Sequence, residues 1–363
     1  PYNAAIIANE KMSAFAYISI IDVTLKLIVA YLITIGDFDR LILYAVLVAA
    51  SQLFIRFCYS IYCSKHFKET HYYIYWNKGL FKEMLSFAAW NLWGNFAYII
   101  FTQGLNLMLN IFFGTVVNAA RAISVQVQSA ISQFANNFQS ALNPQITKTY
   151  AAGDLQSMNT LIFRGSKFTF LLLMLFAMPI CIEIEFILNV WLKEVPDYTV
   201  IFVQLMVAMM VIDSTANPLM TAAAATGKVK KYQTVLSLVY LSNLPLSYIA
   251  LKMGAEPWSV FVINTAICCV NFFVRLLLIR PMISLSIRQY LTCVCRPCIL
   301  VAVTSSLLPI ILHLCLSESM FQSLIIIVIS MISVALCSLY LGLDMHERTI
   351  VFSKIRSIAN RII

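Results

Sequence analysis

Apolar runs of bilayer length alternate with short polar breaks along the whole chain. Ten helices are expected from them, at roughly 12–35, 41–63, 84–112, 116–146, 168–188, 198–224, 232–251, 258–279, 293–313 and 322–343. At about 1.5 Å rise per residue, each is long enough for an apolar bilayer core of about 30 Å. The short alternating segments of a membrane β-barrel are not the dominant pattern. The pattern therefore predicts an all-α, polytopic helical membrane protein with about ten transmembrane helices visible. It divides the chain into 1–63, with two helices; a linker at 64–83; 84–280, with six helices; and 281–363, with two more helices and a tail.

The run GTVVNAARAISVQVQSAISQFANNFQSALNPQ, residues 114–145, breaks the apolar rule. At 100° per residue, Arg121, Gln128, Ser132, Gln139 and Asn143 fall within about 60° of one another. The third span carries Asn95, Gln103, Asn106 and Asn110 on one stripe. The sixth has Asp213, Asn217 and Thr221 at i, i+4, i+8, and the eighth has Asn264, Asn271 and Arg275. Any one stripe is as readily explained by interhelical hydrogen bonding. Four stripes together point to a shared hydrated cavity, because polar groups at membrane depth must face protein or water. Pro144, Pro218 and Pro245, each one or two residues after an Asn, are expected to interrupt three helices and free backbone carbonyls.

Composition agrees with this picture. The 363 residues are 61% hydrophobic and 11% charged, against about a quarter charged in soluble domains. Of the 25 Lys and Arg, only Arg40, Lys193 and Lys252 fall in one set of loops, and Lys26, Arg56, Arg121, Arg275 and Arg296 lie within spans. The remaining 17 fall in the other set, which the positive-inside rule makes cytoplasmic. The net charge of +9 thus reflects topology, and its spread over six segments argues against a nucleic-acid partner. The outer loops, at 36–40, 114–115, 193–197, 252–256 and 316–321, leave no room for a folded domain. The linker, with its HYYIYW run, and the tail after Asp344 read as interfacial segments contacting membrane lipids. The chain opens at Pro1 without Met, and an N-terminal part is taken to be missing.

Several chemistries find no support. Five of the ten Cys (Cys58, Cys181, Cys268, Cys269 and Cys337) sit in apolar runs as small hydrophobes. Cys293, Cys295 and Cys298 cluster without a nearby His, so no metal and no other cofactor is expected. There is no Walker loop, and the four His are scattered, so the chain is not expected to be an enzyme. Deep charges are the stronger signals. Asp22 and Lys26, at i, i+4, form either a structural ion pair or one that is broken and remade in gating. Asp213 has no basic residue one turn away and needs a partner on another helix or a proton, which makes it a candidate for H+ or Na+ coupling. Arg121 either snorkels to the outer interface or offers its planar fork to phosphate oxygens. Arg275 and Arg56 lie near inner ends, where snorkelling is expected.

The stretch GTVVNAARAISVQVQSAISQFANNFQSALNPQITKTYAAGDL and the following SKFTFLLLMLFAMPICIEIEFILNVWL resemble the oligosaccharide and O-antigen flippases of the multidrug/oligosaccharidyl-lipid/polysaccharide exporter superfamily. PYNAAIIANEKM and PLMTAAAATGKVKKYQ add weaker likeness. The resemblance implies a two-lobed fold of 12–14 helices. Residues 1–63 would hold the last two helices of the first lobe, and 84–280 a whole second lobe. It implies a multi-pass protein of a bacterial inner membrane that moves undecaprenyl-pyrophosphate-linked oligosaccharides by alternating access. A polysaccharide polymerase and glycosyltransferases would be its partners. On this likeness Arg121, and with less weight Lys26 and Arg275, would supply the cationic cavity, and the amides Asn106, Gln128, Gln139 and Asn143, with Ser132, would meet sugar hydroxyls. A cation-coupled multidrug exporter of the same fold, or a membrane-embedded polymerase or acyltransferase, are the alternatives.

Overall fold

The computed structural model describes residues 2–9, 11–33, 39–67, 70, 76–315, 319–345, 347–349 and 353. Residues 36–38 and 316–318 of the expected outer loops, most of the aromatic run in the linker and most of the tail lie outside them. Among the described residues the secondary structure is helical throughout, with no strand. Eight helices are long and apolar enough to cross a membrane, and nine if one bent pair counts as a span. The 74-residue helix Lys78–Ala151 makes two of itself at Gly114, which restores the expected ten. The protein is thus an all-α, multi-pass membrane protein. Its outward-facing side chains suit lipid: Leu41, Leu92, Ile111 and Leu314 are widely exposed.

Two compact units divide at Phe81 and Lys82. In the first, α1 (Tyr2–Ala8), α2 (Met12–Leu32) and α3 (Arg40–His66) pack on one another around Ile6, Ile18, Ile55 and Cys63. Asp39 caps α3 by accepting hydrogen bonds from the backbone N–H groups of Leu41 and Ile42, at 2.8 and 3.3 Å.

The second unit opens at Lys82, inside α4 (Lys78–Ala151). Its bend at Gly114, φ 80° and ψ −167°, lies in a region open to glycine and strained for other residues. A single residue therefore replaces the expected two-residue loop. Next come α5 (Leu155–Ile182), α6 (Ile184–Trp191), α7 (Thr199–Ser214), α8 (Asn217–Ala225), α9 (Val229–Leu241) and α10 (Asn243–Lys252). They are followed by α11 (Ser259–Ile283), α12 (Ile287–Tyr290), α13 (Arg296–Cys315) and α14 (Met320–Cys337). The unit's main core gathers Ile162, Leu173, Leu188, Val203, Leu219, Leu276 and Val301. Helix α5 packs on α7, α8, α13 and α14, and α11 packs on α7 through α10.

Proline breaks two helices as expected. Helices α7 and α8 meet at 41° with Pro218 in the first turn of α8, and α9 stops at Ser242 just before Pro245. Pro144 does not break α4, contrary to expectation. Leu142 nests against Gly165 and Ile146 is fully buried, so packing on both sides of the proline keeps the helix continuous. A break without proline occurs at Glu183, between α5 and α6.

Helix α5 starts well before the expected 168 and carries Lys167 inward, 2% exposed. Its ammonium pairs with Glu347 at 2.5 Å and with Asp344 at 3.6 Å, and Arg164 lies 3.7 Å from Glu347. Asp154 caps α5, and its hydrogen bonds with Ser157 hold the carboxyl below its ordinary range. At the opposite end of the unit, the Tyr198 hydroxyl donates to Glu256 at 3.0 Å, and this carboxylate raises the phenol's pKa. Glu347→Ala leaves a buried ammonium with only exposed Asp344, and is expected to cost about 3 kcal/mol. The pair replacement Lys167→Met/Glu347→Met should recover most of that loss, as read by thermal unfolding of the purified protein in detergent.

Candidate functional site

Most interior hydroxyls have a local explanation. Ser124, Thr169 and Ser330 each donate to the carbonyl four residues back, at 2.9, 2.7 and 2.7 Å. The amides and charges do not, and several of them converge. A cavity of about 450 Å³ lies between α4, α7, α9 and α11, with α5 and α8 at its margins. Its polar lining includes Gln103, Asn106, Arg121, Gln128, Ser132, Asn136, Asp213, Asn217 and Asn264. Its apolar lining includes Tyr98, Phe101, Tyr240, Phe261 and the methionines Met206, Met209 and Met210.

Arg121 is 8% exposed, so it faces the cavity and does not snorkel. One guanidinium nitrogen donates to Asn106 Oδ1 and another to the carbonyl of Thr102, at 3.2 Å. Asn106 in turn donates to Gln103 at 3.1 Å. Arginine Nε is buried without a partner, and no carboxylate among the described residues forms an ion pair with Arg121. Behind the wall, the fully buried Ser247 donates to Asn243, which donates to the lining residue Asn264 at 3.2 Å. Ser132 bonds back to the carbonyl of Gln128 at 2.8 Å.

Asp213 finds the interhelical partner it needs. Arg275 Nη1 of α11 lies 3.5 Å from its Oδ1, with Asp213 42% exposed and Arg275 3%. Arg275 therefore neither snorkels nor lines the cavity; it stands behind Asp213 and compensates it. Two more expected site residues also lie off the wall. Gln139 is buried, with its Nε2 unpartnered, and Asn143 accepts a hydrogen bond from Thr221 at 2.8 Å. Their stripe is right, but at this end α4 meets α5 and α8 through side chains: Asn143 joins α4 to α8 through Thr221, and Gln139 is buried without a hydrogen bond among the described residues. Asp22 and Lys26 form their ion pair at 2.6 Å, with Gln52 donating to Asp22 at 3.3 Å. All three belong to the first unit, whereas every residue of the cavity wall belongs to the second.

No family model, curated protein or solved structure matches this chain. The site must therefore be read from its own chemistry. With Asp213 balanced by Arg275, the wall carries one uncompensated positive charge, at Arg121. The remaining polar wall is mostly amide, able to donate and accept. Outside the cavity, Gln126, Ser129, Gln133 and Asn137 form an exposed polar strip on the same arm of α4.

The aromatic and thioether wall was not anticipated, although spacing offered a signal. Tyr98, Thr102 and Asn106 follow at i, i+4, i+8, and Met206, Met210 and Asp213 at i, i+4, i+7. Removing the carboxylate by Asp213→Ala strands the buried Arg275, and is expected to destabilise by about 1–3 kcal/mol. Adding Arg275→Met should restore most of the loss, as measured by thermal unfolding of both variants side by side.

Proposed function

We propose that this chain moves a lipid-linked oligosaccharide across a bacterial inner membrane, holding the anionic headgroup in the α4–α7–α11 cavity while the lipid tail stays in the bilayer. The observation that carries the reading is Arg121, a buried guanidinium at a cavity wall with no carboxylate beside it. A cation inside a membrane protein costs free energy unless an anion or a dense set of dipoles meets it. A pyrophosphate supplies that anion, and the guanidinium's planar fork suits phosphate oxygens. The amides Gln103, Asn106, Gln128 and Asn264 suit sugar hydroxyls. A volume of about 450 Å³ is in the range of ordinary small-ligand sites, so it takes the phosphates and the nearest sugar and excludes a whole repeat unit.

The bends at Gly114, at the α7–α8 junction and at Ser242 divide helices beside the cavity. Such divided helices are where alternating-access transporters bend, and Asp213 and the Asp22–Lys26 pair are then the sites for H+ or Na+ coupling. Transport in this reading feeds a polysaccharide polymerase and draws on glycosyltransferases that build the repeat.

One observation favours a second reading, a cation-coupled multidrug exporter: Asp213 shares its wall with Tyr98, Phe101, Tyr240, Phe261 and three methionines. Against it, Arg121 on the same wall repels an organic cation.

Arg121→Ala is expected to reduce surface polysaccharide assembly by roughly 10- to 100-fold, the loss of one charge-assisted contact, while membrane insertion is unchanged. Unchanged assembly, together with loss of dye efflux in Asp213→Asn, would select the multidrug reading instead.

A further inference from the structure

Several basic side chains on the cytoplasmic side, as the loop charges assign it, are engaged. Lys167 and Arg164 meet Glu347, Lys230 lies 5.0 Å over the Trp90 ring, and Arg348 stacks on Tyr340 and donates to its carbonyl at 2.9 Å. Arg280 and Arg288 are distinguished by their shared place: each is exposed, neither side chain has a hydrogen-bond or ion-pair partner among the described residues, and both border one open groove of about 820 Å³. The groove is made by the reversal between α11 and α12. Ser284 ends α11 at φ 54°, a left-handed conformation that turns the chain so that both arginines flank one concavity. Ser284 and Ser286 line it between them, the Ser286 hydroxyl also accepting from the backbone N–H of Gln289 at 3.3 Å, and Leu277 and Ile287 form apolar parts of its border. Leu277 is 61% exposed on the membrane-crossing part of α11.

We propose that this groove is a binding site for an anionic phospholipid, its phosphate between Arg280 and Arg288 and an acyl chain along Leu277. Charge complementarity selects the headgroup: two unpaired guanidinium groups and two hydroxyls offer donors to phosphate oxygens, and no carboxylate lines the groove. The apolar border selects a lipid over a free anion, since a soluble phosphate makes no use of Leu277. The site lies at the end of a helix long and apolar enough to cross a membrane, with Arg280 in the last turn of α11 and Arg288 in α12, and basic pockets at such ends meet anionic headgroups. It shares no residue with the central cavity, so it stands or falls independently of the transport reading.

The test is native mass spectrometry of the full chain in neutral detergent, titrated with phosphatidylglycerol or phosphatidylcholine of the same acyl composition. Phosphatidylglycerol should be retained preferentially. Arg280→Gln or Arg288→Gln should weaken that retention about fivefold, and the double variant about 25-fold. Lys231→Gln, an exposed basic residue outside the groove, should leave retention within about twofold. Equal retention of the two lipids, an undiminished affinity in the double variant, or an equal loss in Lys231→Gln would overturn the proposal. So would full displacement of phosphatidylglycerol by an equal concentration of inorganic phosphate, which would make this a free-anion site. Both arginines are exposed and support no neighbour, so the variants keep the fold; unfolding temperatures in neutral lipid check this.

Discussion

Arg121 donates to Asn106 and to the carbonyl of Thr102, and it forms no ion pair with a carboxylate among the described residues. An isolated cation at bilayer depth costs about 2.5–3.5 kcal/mol even on mild insertion scales. The surrounding lining answers that cost with dipoles: Asn106 is itself oriented by Gln103, and the opposite wall adds the Asn243–Asn264 relay. The same constraint accounts for Arg275, whose charge is met by Asp213. One arginine is therefore met by a carboxylate and the other by dipoles alone. That difference decides the functional reading more than the number of polar residues does.

The cavity exists because α4 meets its neighbours largely through side chains. Tyr98 packs edge-on to Tyr240, Gln233 donates to Asn91 at 3.1 Å, and Phe134 stacks on Phe176. Glycines permit closer approach at chosen points: Gln233 lies against Gly94 and Leu244 against Gly104, where any side chain would collide. Elsewhere space remains, and amides fill its wall. The bend at Gly114 then turns the second arm of α4 so that Arg121 returns to Asn106, fifteen residues earlier. A helix without that bend would place those residues about 22 Å apart along one axis.

Helix number and the polar stripes were legible in the sequence because lipid enforces a simple rule: apolar outside, polar only where partnered. Arg121, Gln128, Ser132 and Asn106 reach the cavity as their spacing implies. Gln139 and Asn143 share that stripe but lie where α4 meets α5 and α8, and periodicity reports a face without saying what covers it. Arg275 was misplaced by depth, since a position near a span end allows snorkelling only when lipid or water is beside it. Pro144 shows packing overriding a local breaker. The aromatic and methionine wall escaped notice because such residues in an apolar span look the same whether they face lipid, core or cavity.

The central claim is that water and polar solutes reach the α4 face carrying Gln128, whereas the outer face of α11 meets lipid. The direct measurement is the labelling rate of single cysteines by a charged, membrane-impermeant thiol reagent, in a background with the ten native cysteines replaced. Gln128→Cys, on the cavity wall, is expected to react at least about tenfold faster than Val270→Cys, which lies on the far side of α11 from Cys268. Equal rates, or faster reaction at position 270, would contradict a hydrated cavity.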